Sequence, residues 1–175
     1  MRRKFILKHI KKGKVLNLGS EWGELREYID KHKIKVTNLD IVGKPDVKHD
    51  LNDGMPFPEN DFDTIIAGEV IEHLLEPYRF LIECFRILKP EGVLILTTPN
   101  GQCPYGIWTP FHYHIFKMEY LIKLMETAGF YILYYQFMRE DGQKGISKFL
   151  SSLNRRFKKT LFVIGEKPYK AGKKK

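Results

Sequence analysis

Two stretches of sequence decide the fold of this 175-residue chain: DFDTIIAGEVIEHL at residues 61–74 and RILKPEGVLILTTPN at residues 86–100. Each contains an apolar run of strand length, 62–67 in the first and 93–97 in the second. A run that is apolar on both faces is typical of a strand buried between two helix layers. Helical spacing of apolar residues predicts a helix at 78–88 between them. The two stretches therefore predict one strand-helix-strand unit of a parallel sheet.

The same alternation extends in both directions along the chain. Lys-Pro-Glu-Gly at 89–92 is expected to end the middle helix, and Gly129 to stop a later one. Further strands are predicted at 15–19, 36–40, 47–51, 131–138 and 160–165, and further helices at 2–12, 22–32 and 117–128. This order implies an α/β fold, with a mostly parallel sheet and helices on both faces. We expect an entry helix at 1–13, one domain at 14–168 and a disordered basic tail at 169–175.

The formal net charge of +9 is concentrated at the two ends of the chain. Residues 1–14 carry seven Lys or Arg and no acid, and residues 155–175 carry nine Lys or Arg and one acid. The stretch between them holds 14 basic and 20 acidic residues, so it is acidic overall. Basic ends predict an anionic partner such as nucleic acid, lipid or a phosphorylated substrate. A solubilising tail with ordinary surface lysines is the alternative.

Several classes of protein are excluded by composition. No apolar stretch reaches the ~20 residues of a membrane-crossing helix, and the N-terminus lacks the apolar run of a secretory signal. We therefore expect a cytoplasmic protein. Cys84 and Cys103 have neither disulfide-framework nor metal-ligand spacing, so they are expected to be free thiols.

Polar and glycine residues follow four of the predicted strands at their carboxyl ends. A glycine turn begins at Gly19, Asp40 and Asp50 follow the next two strands, and Gly68 precedes Glu69 after the fourth. Ligands of open parallel sheets bind at this edge. An acid about 20 positions after a glycine turn can accept both hydroxyls of a ribose. That spacing by itself fits both S-adenosylmethionine binding and a nicotinamide-dependent dehydrogenase.

The segment from 61 to 100, with its EHL and RILKPEGVLILTTPN motifs, resembles class I S-adenosylmethionine-dependent methyltransferases. Within that class it is most similar to the group that contains ubiquinone- and menaquinone-biosynthesis enzymes, and the resemblance covers roughly residues 14–135. It implies a three-layer, Rossmann-like, seven-stranded sheet whose last strand is antiparallel. It also implies S-adenosyl-L-methionine as the cofactor.

The resemblance places the cofactor along the strand ends. Asp40 would bind the ribose, Asp50 the adenine amino group and Leu51 the adenine ring, while Gly68 and Glu69 would line the methionine part. The full implied set is Asn17, Gly19, Ser20, Glu21, Gly23, Asp40, Ile41, Asp50, Leu51, Gly68 and Glu69. The residues alone leave alternatives open, since Asp40 could cap a helix, Asp50 could form a turn and Glu69 could be a solvated rim residue.

Two positions depart from the family pattern, which has an acid at 17 and a glycine at 21. Here they are Asn17 and Glu21. Asn17 can orient the loop or the cofactor's ammonium through its amide oxygen, but it supplies no negative charge. This departure motivates an alternative function, a methyltransferase-fold protein with weak or no activity that acts as a binding subunit.

Methyl transfer from a sulfonium requires mainly alignment, and an oxygen or nitrogen acceptor also needs to lose a proton. His112 and His114 are the candidate catalytic bases, and the resemblance puts their segment at the acceptor side. No metal site is expected, because this histidine pair lacks an evident third ligand. His73 is expected to anchor the loop after the fourth strand. Trp108, Phe111 and Tyr113 either form an aromatic wall for the acceptor or close the core.

The sequence thus predicts a methyltransferase that acts on an O, N or C nucleophile of a small-molecule or lipid-type acceptor. RNA methylation is a further alternative, prompted by the basic ends. It is less favoured because no Asn-Pro-Pro-aromatic or Asp-Pro-Pro-aromatic tetrapeptide follows the fourth strand.

Overall fold

The computed structural model describes residues 2–19, 27, 29, 32, 34–103, 110–138 and 159–169. Its seven strands are β1 Val15–Leu18, β2 Val36–Asp40, β3 Val47–Lys48, β4 Phe62–Gly68, β5 Leu88–Pro99, β6 Tyr131–Met138 and β7 Thr160–Glu166. The helices within these residues are α1 Arg2–His9, α2 Pro77–Ile87 and α3 Met118–Thr127, with short 3-10 turns at Leu51–Asp53 and Ile71–His73. The helix predicted at 22–32 and the tail after Tyr169 lie largely or wholly outside the described residues.

One sheet contains all seven strands in the order β3-β2-β1-β4-β5-β7-β6. The pairs among β1 to β5 are parallel, whereas β7 runs antiparallel to both β5 and β6. This arrangement confirms the predicted fold class, including the antiparallel last strand. The strand order reverses at β1, because β2 and β4 lie on opposite sides of it. The carboxyl ends of β1 and its neighbours therefore form the crevice where such sheets bind ligands.

Helices cover both faces of the sheet. On one face, α2 and α3 bury the apolar residues Phe80, Leu81, Cys84, Ile87, Met118, Leu121 and Met125 in the larger core cluster. On the other face, Ile6 of α1 and Ile29 pack with Phe162 of β7 in a second cluster. All four residues of β1 are buried, as expected for a strand between two layers. Among the described residues, no helix is long and apolar enough to cross a bilayer.

Two strands, β3 and β5, differ from the sequence prediction by more than one residue. β3 stops at Lys48, because Asp50 instead begins a 3-10 turn and accepts a hydrogen bond from the Asn52 N–H. β5 starts at Leu88, so Lys-Pro-Glu-Gly at 89–92 belongs to the strand and is not a separate helix-ending loop. Leu88 pairs with Phe62. Farther along, the Glu91 N–H donates to the Lys167 carbonyl and the Lys167 N–H to the Gly92 carbonyl.

Candidate functional site

The turn after β1 is tied to the end of β2. Gly19 has φ +66°, and its N–H donates to the Leu39 carbonyl over 3.1 Å. A Cβ at this position would lie 2.3 Å from Cγ2 of Val70, so the turn accepts no side chain without rearrangement. Ser20, Glu21 and Gly23 of the predicted loop lie outside the described residues. The structure therefore brings the start of the predicted loop next to Asp40.

Asp40 is 7 % exposed and stands at the carboxyl end of β2. Its Oδ1 accepts a hydrogen bond from the Val42 N–H over 3.1 Å. Its Oδ2 is buried and has no hydrogen-bond partner within the described part of the chain. A buried carboxylate oxygen without a donor is costly, so a ligand hydroxyl at this point would be favourable. The neighbouring Ile41 is 53 % exposed and offers an apolar surface beside the carboxylate.

Asp50 and Leu51 follow β3, the neighbour of β2, at the carboxyl ends of the parallel strands. The His49 N–H donates to the Asp40 carbonyl over 3.0 Å, which holds Asp50 near the end of β2. Oδ1 of Asp50 accepts from both the backbone and the side-chain N–H of Asn52. The turn-forming alternative for Asp50 is thus observed, and its adenine-binding role stays a prediction. Leu51 is half-buried against the larger core cluster.

Glu69 follows β4 in a left-handed backbone conformation, with φ +57°. Its N–H donates to the Thr97 carbonyl, and its Oε1 accepts from the Thr97 hydroxyl, both over 2.9 Å. Glu69 is therefore anchored to β5 and is not a freely solvated rim residue. A non-glycine residue held at positive φ is uncommon, and such strain is concentrated at functional sites.

Three side chains that the sequence pattern did not connect come together beyond Glu69. Glu72 and His73 lie in the 3-10 turn Ile71–His73, and His112 reaches them from the segment before α3. One potential ligand atom from each lies within 4.8 Å of the others. The His73 and His112 rings meet edge to face, with centroids 4.7 Å apart. The Glu-His pair after β4 and the His-x-His pattern were the only sequence signals for this cluster.

Backbone hydrogen bonds hold the segment that carries His112. The N–H groups of Tyr113 and His114 both donate to the Glu72 carbonyl, over 2.9 and 3.2 Å. Nδ1 of His73 lies 2.9 Å from the Phe111 carbonyl oxygen, which links the turn after β4 to this segment. Burial lowers the pKa of His112, and the nearby His73 lowers that pKa further. His114 points elsewhere, with Nε2 3.4 Å from the Leu75 carbonyl oxygen.

Exposed aromatic residues flank the cluster. Phe111 is 70 % exposed and Tyr113 is 62 % exposed, so neither closes the core. Trp108 lies outside the described residues. A separate cleft of about 440 Å³ beside the turn Leu51–Asp53 is lined in part by His49, Arg79 and Glu83, and its lining includes none of the predicted cofactor residues.

A family model described as a methyltransferase domain matches residues 2–135. The chain belongs to this methyltransferase-domain family. The match runs from α1 into β6 and leaves out β7, and it includes every predicted cofactor residue and both predicted catalytic histidines. It confirms the resemblance that residues 61–100 indicated.

Named relatives agree with the family assignment. A Mycolicibacterium smegmatis protein named a probable S-adenosylmethionine-dependent methyltransferase is 36 % identical over 92 residues, which are 49 % of this chain and 35 % of that protein. A ubiquinone biosynthesis O-methyltransferase of Actinobacillus pleuropneumoniae is 33 % identical over 132 residues, which are 64 % of this chain and 54 % of that protein. The chain thus spans about a third to a half of the length of these methyltransferase relatives.

The fold is shared with solved methyltransferases. A crystal structure of an S-adenosylmethionine-dependent methyltransferase from Archaeoglobus fulgidus superimposes with a TM-score of 0.71 at 20 % identity, covering 94 % of this chain and 90 % of that one. At this identity the likeness concerns the fold alone.

Proposed function

We propose that this methyltransferase-domain protein binds S-adenosylmethionine at the carboxyl ends of β1, β2 and β4. The observation that carries the proposal is Asp40, whose buried Oδ2 has no partner among the described residues. A ribose hydroxyl would donate to this oxygen, and Ile41 beside it would be covered by the nucleoside. Gly19, Gly68 and Glu69 stand on the neighbouring strand ends, where the methionine part would lie. The family and the named relatives support this cofactor.

The acceptor is proposed to lie at the segment around His112. In the transfer, the bond between the methyl carbon and sulfur breaks as a bond from the acceptor's nucleophile to that carbon forms, and S-adenosylhomocysteine leaves. An oxygen nucleophile gives up its proton, and the cluster of Glu72, His73 and His112 is proposed as the group that accepts it. Exposed Phe111 and Tyr113 favour an acceptor with an apolar or aromatic body, either a small molecule or a lipid-type compound. Of the two predicted bases, His112 rather than His114 belongs to the cluster.

A small acceptor is favoured over nucleic acid by the pairing of the N-terminal lysines. Lys11 lies 2.9 Å from Glu166, and Lys14 lies 2.6 Å from Asp61. These pairs neutralise part of the basic segment that prompted the RNA alternative. An RNA titration at several salt concentrations separates the two, since phosphate contacts give affinity that falls steeply as salt rises.

The test of cofactor binding is calorimetric titration of S-adenosylhomocysteine into the wild-type chain and Asp40→Asn. Asparagine keeps an oxygen for the Val42 N–H but presents an amide donor where the ribose hydroxyls would donate. We expect about 10- to 100-fold weaker binding, as for the loss of hydrogen bonds to a charged group. Asp53→Asn, an exposed position in the same edge region, is the matched control and should bind like the wild type. A folded wild-type chain that binds no S-adenosylhomocysteine at millimolar concentration would overturn the proposal.

A further inference from the structure

The two edges of the sheet differ in how they are protected against pairing with another strand. β3 forms one edge, and it has only two residues, of which Lys48 is exposed. β6 forms the other edge, and its eight residues include neither a charged residue nor a proline. No strand within the described residues pairs with the outer side of β6. Proteins commonly keep an open edge from pairing by short length, by charge or by proline, and β6 has none of these features.

We propose that the outer edge of β6 pairs with the same edge of a second copy of this chain, in a two-fold symmetric dimer. The pairing is confined to residues 134–138, because a register shift between Ile132 and Tyr134 bends the first part of the strand. Residues 134–138 are in unbroken register with β7, and this stretch has the usual length of a paired strand. No predicted cofactor residue lies on β6, so the inference is independent of the proposed function.

The sequence of β6 is self-complementary about Gln136. A two-fold axis at Gln136 places Tyr135 opposite Phe137 of the partner subunit in an antiparallel pair. Alternate residues of a strand share a face, so Tyr135 and Phe137 lie on the same side of the sheet. Phe137 packs against the larger core cluster, whereas Tyr135 is 55 % exposed. Since aromatic pairs across neighbouring strands are stabilising, the pairing would cover Tyr135 with an aromatic ring.

The charge of the chain restricts where two copies can meet. Each copy carries a formal charge of +9, so two copies repel each other, and contact is most favourable where the surfaces carry no charge. A two-fold axis also brings like charges close together, which destabilises a strand pair. β6 avoids both costs because it has no charged residue. A different protein that recognised this strand by charge would find no opposite charge on it, which favours a second copy as the partner.

The experiment is sedimentation equilibrium of the full chain at several protein concentrations. We expect a monomer–dimer equilibrium for the wild type, and a dissociation constant at least about 10-fold higher for Tyr135→Lys, because a charge would enter the apolar strand pair. Tyr120 lies on α3, away from the edge, and is 57 % exposed, so Tyr120→Lys is the matched control and should dimerise like the wild type. Higher salt should strengthen the wild-type dimer, since it screens the repulsion between the two copies.

A cysteine on the proposed two-fold axis tests the register. In an antiparallel pair the two Cα atoms at position 136 would lie about 4.5–5.5 Å apart, within the range that a disulfide spans. Oxidation of Gln136→Cys should therefore cross-link two copies. Lys48→Cys places the thiol on the opposite edge of the sheet and should stay uncross-linked. The native Cys84 and Cys103 are both buried, and the wild type under the same oxidation gives the baseline.

Thermal unfolding of each variant establishes that it folds before its association is compared. A folded wild-type chain that stays monomeric up to about 100 µM would overturn the proposal, and would leave the edge to the chain's own 139–158 segment or to a different protein. An unchanged dissociation constant in folded Tyr135→Lys, or the absence of a cross-link in Gln136→Cys, would overturn it as well.

Discussion

The side-chain amide of Asn17 donates to Oδ1 of Asn38 across neighbouring strands over 3.0 Å, and both residues are buried. Asn38 in turn donates from Nδ2 and from its backbone N–H to Oδ2 of Asp46, over 3.0 and 2.8 Å. Asp46 therefore fixes the Asn38 amide with its oxygen towards Asn17. Since that oxygen only accepts, position 17 requires a donor. The asparagine that departs from the family pattern is thus matched to its neighbour in the sheet.

Asn17→Asp is expected to destabilise the fold without improving cofactor binding. A carboxylate cannot donate to Oδ1 of Asn38, and it would be buried facing an oxygen. The expected loss in free energy of unfolding is about 1–3 kcal/mol, measured by urea denaturation alongside S-adenosylhomocysteine titration. Asn60→Asp makes the same change at an exposed position and should alter stability by less than about 0.5 kcal/mol. A large gain in cofactor affinity in Asn17→Asp would instead mean that the binding loop has decayed from an acidic ancestor.

Gly19→Ala is expected to cost more than the same change at another left-handed glycine. At Gly19 the added Cβ would meet Cγ2 of Val70 at 2.3 Å, in addition to the strain of φ +66°. At Gly54, which has φ +87°, the Cβ would be 3.5 Å from the nearest atom, so only the backbone strain applies. We expect about 1 kcal/mol for Gly54→Ala and about 2–3 kcal/mol for Gly19→Ala, from urea unfolding.

The steric part of the Gly19 effect can be isolated with Val70. The double variant Gly19→Ala/Val70→Ala removes the clash. Its loss in free energy of unfolding should therefore be smaller than the sum of the losses in the two single variants. If the loss in the double variant equals the sum of the losses in the two single variants, Val70 moves aside freely in Gly19→Ala. The close approach of the two residues would then not restrict the turn.

Local patterns predicted the layers of this fold, because strands that are buried on both faces have a distinctive composition. Val15 to Leu18 is apolar apart from Asn17, and all four residues are buried as expected. The early start of β5 was not predictable in the same way. It depends on Glu91 and Gly92 pairing with Lys167, about 75 residues farther along the chain, while the local proline and glycine are typical of a loop.

The candidate site was predictable only in part, because it also depends on hydrogen bonds between residues that are far apart in the sequence. Asp40 could be placed because it follows a strand at a fixed distance from a glycine turn. The meeting of His73 and His112 depends on two N–H groups that share the Glu72 carbonyl, a contact without any periodic signal. Sequence spacing therefore located the strand ends, and tertiary hydrogen bonds decided which side chains beyond them converge.

Glu83→Gln is expected to change how stability depends on pH. The two carboxylate oxygens of Glu83 each lie 2.8 Å from a nitrogen of Arg86, and Oε2 also accepts from the Met55 N–H. The hydrogen bonds from Arg86 lower the pKa of Glu83 below its ordinary value of 4.5, against the opposing effect of burial. A lowered folded-state pKa stabilises the fold above pH 4.5, and this contribution is lost as the pH falls through the folded-state pKa.

The wild type should therefore exceed Glu83→Gln in free energy of unfolding at about pH 7, and the difference should shrink between about pH 5 and pH 3. Urea unfolding at several pH values measures it. Glu76→Gln is the matched control, because its contact with Arg79 is 3.8 Å long and exposed, so its difference from the wild type should stay small at every pH. If the difference in free energy of unfolding between the wild type and Glu83→Gln stays constant down to about pH 3, the charge of Glu83 does not stabilise the fold. The hydrogen bonds from Arg86 to the carbonyls of Met55 and Phe57 would then be the contacts that hold α2 to the 55–57 loop.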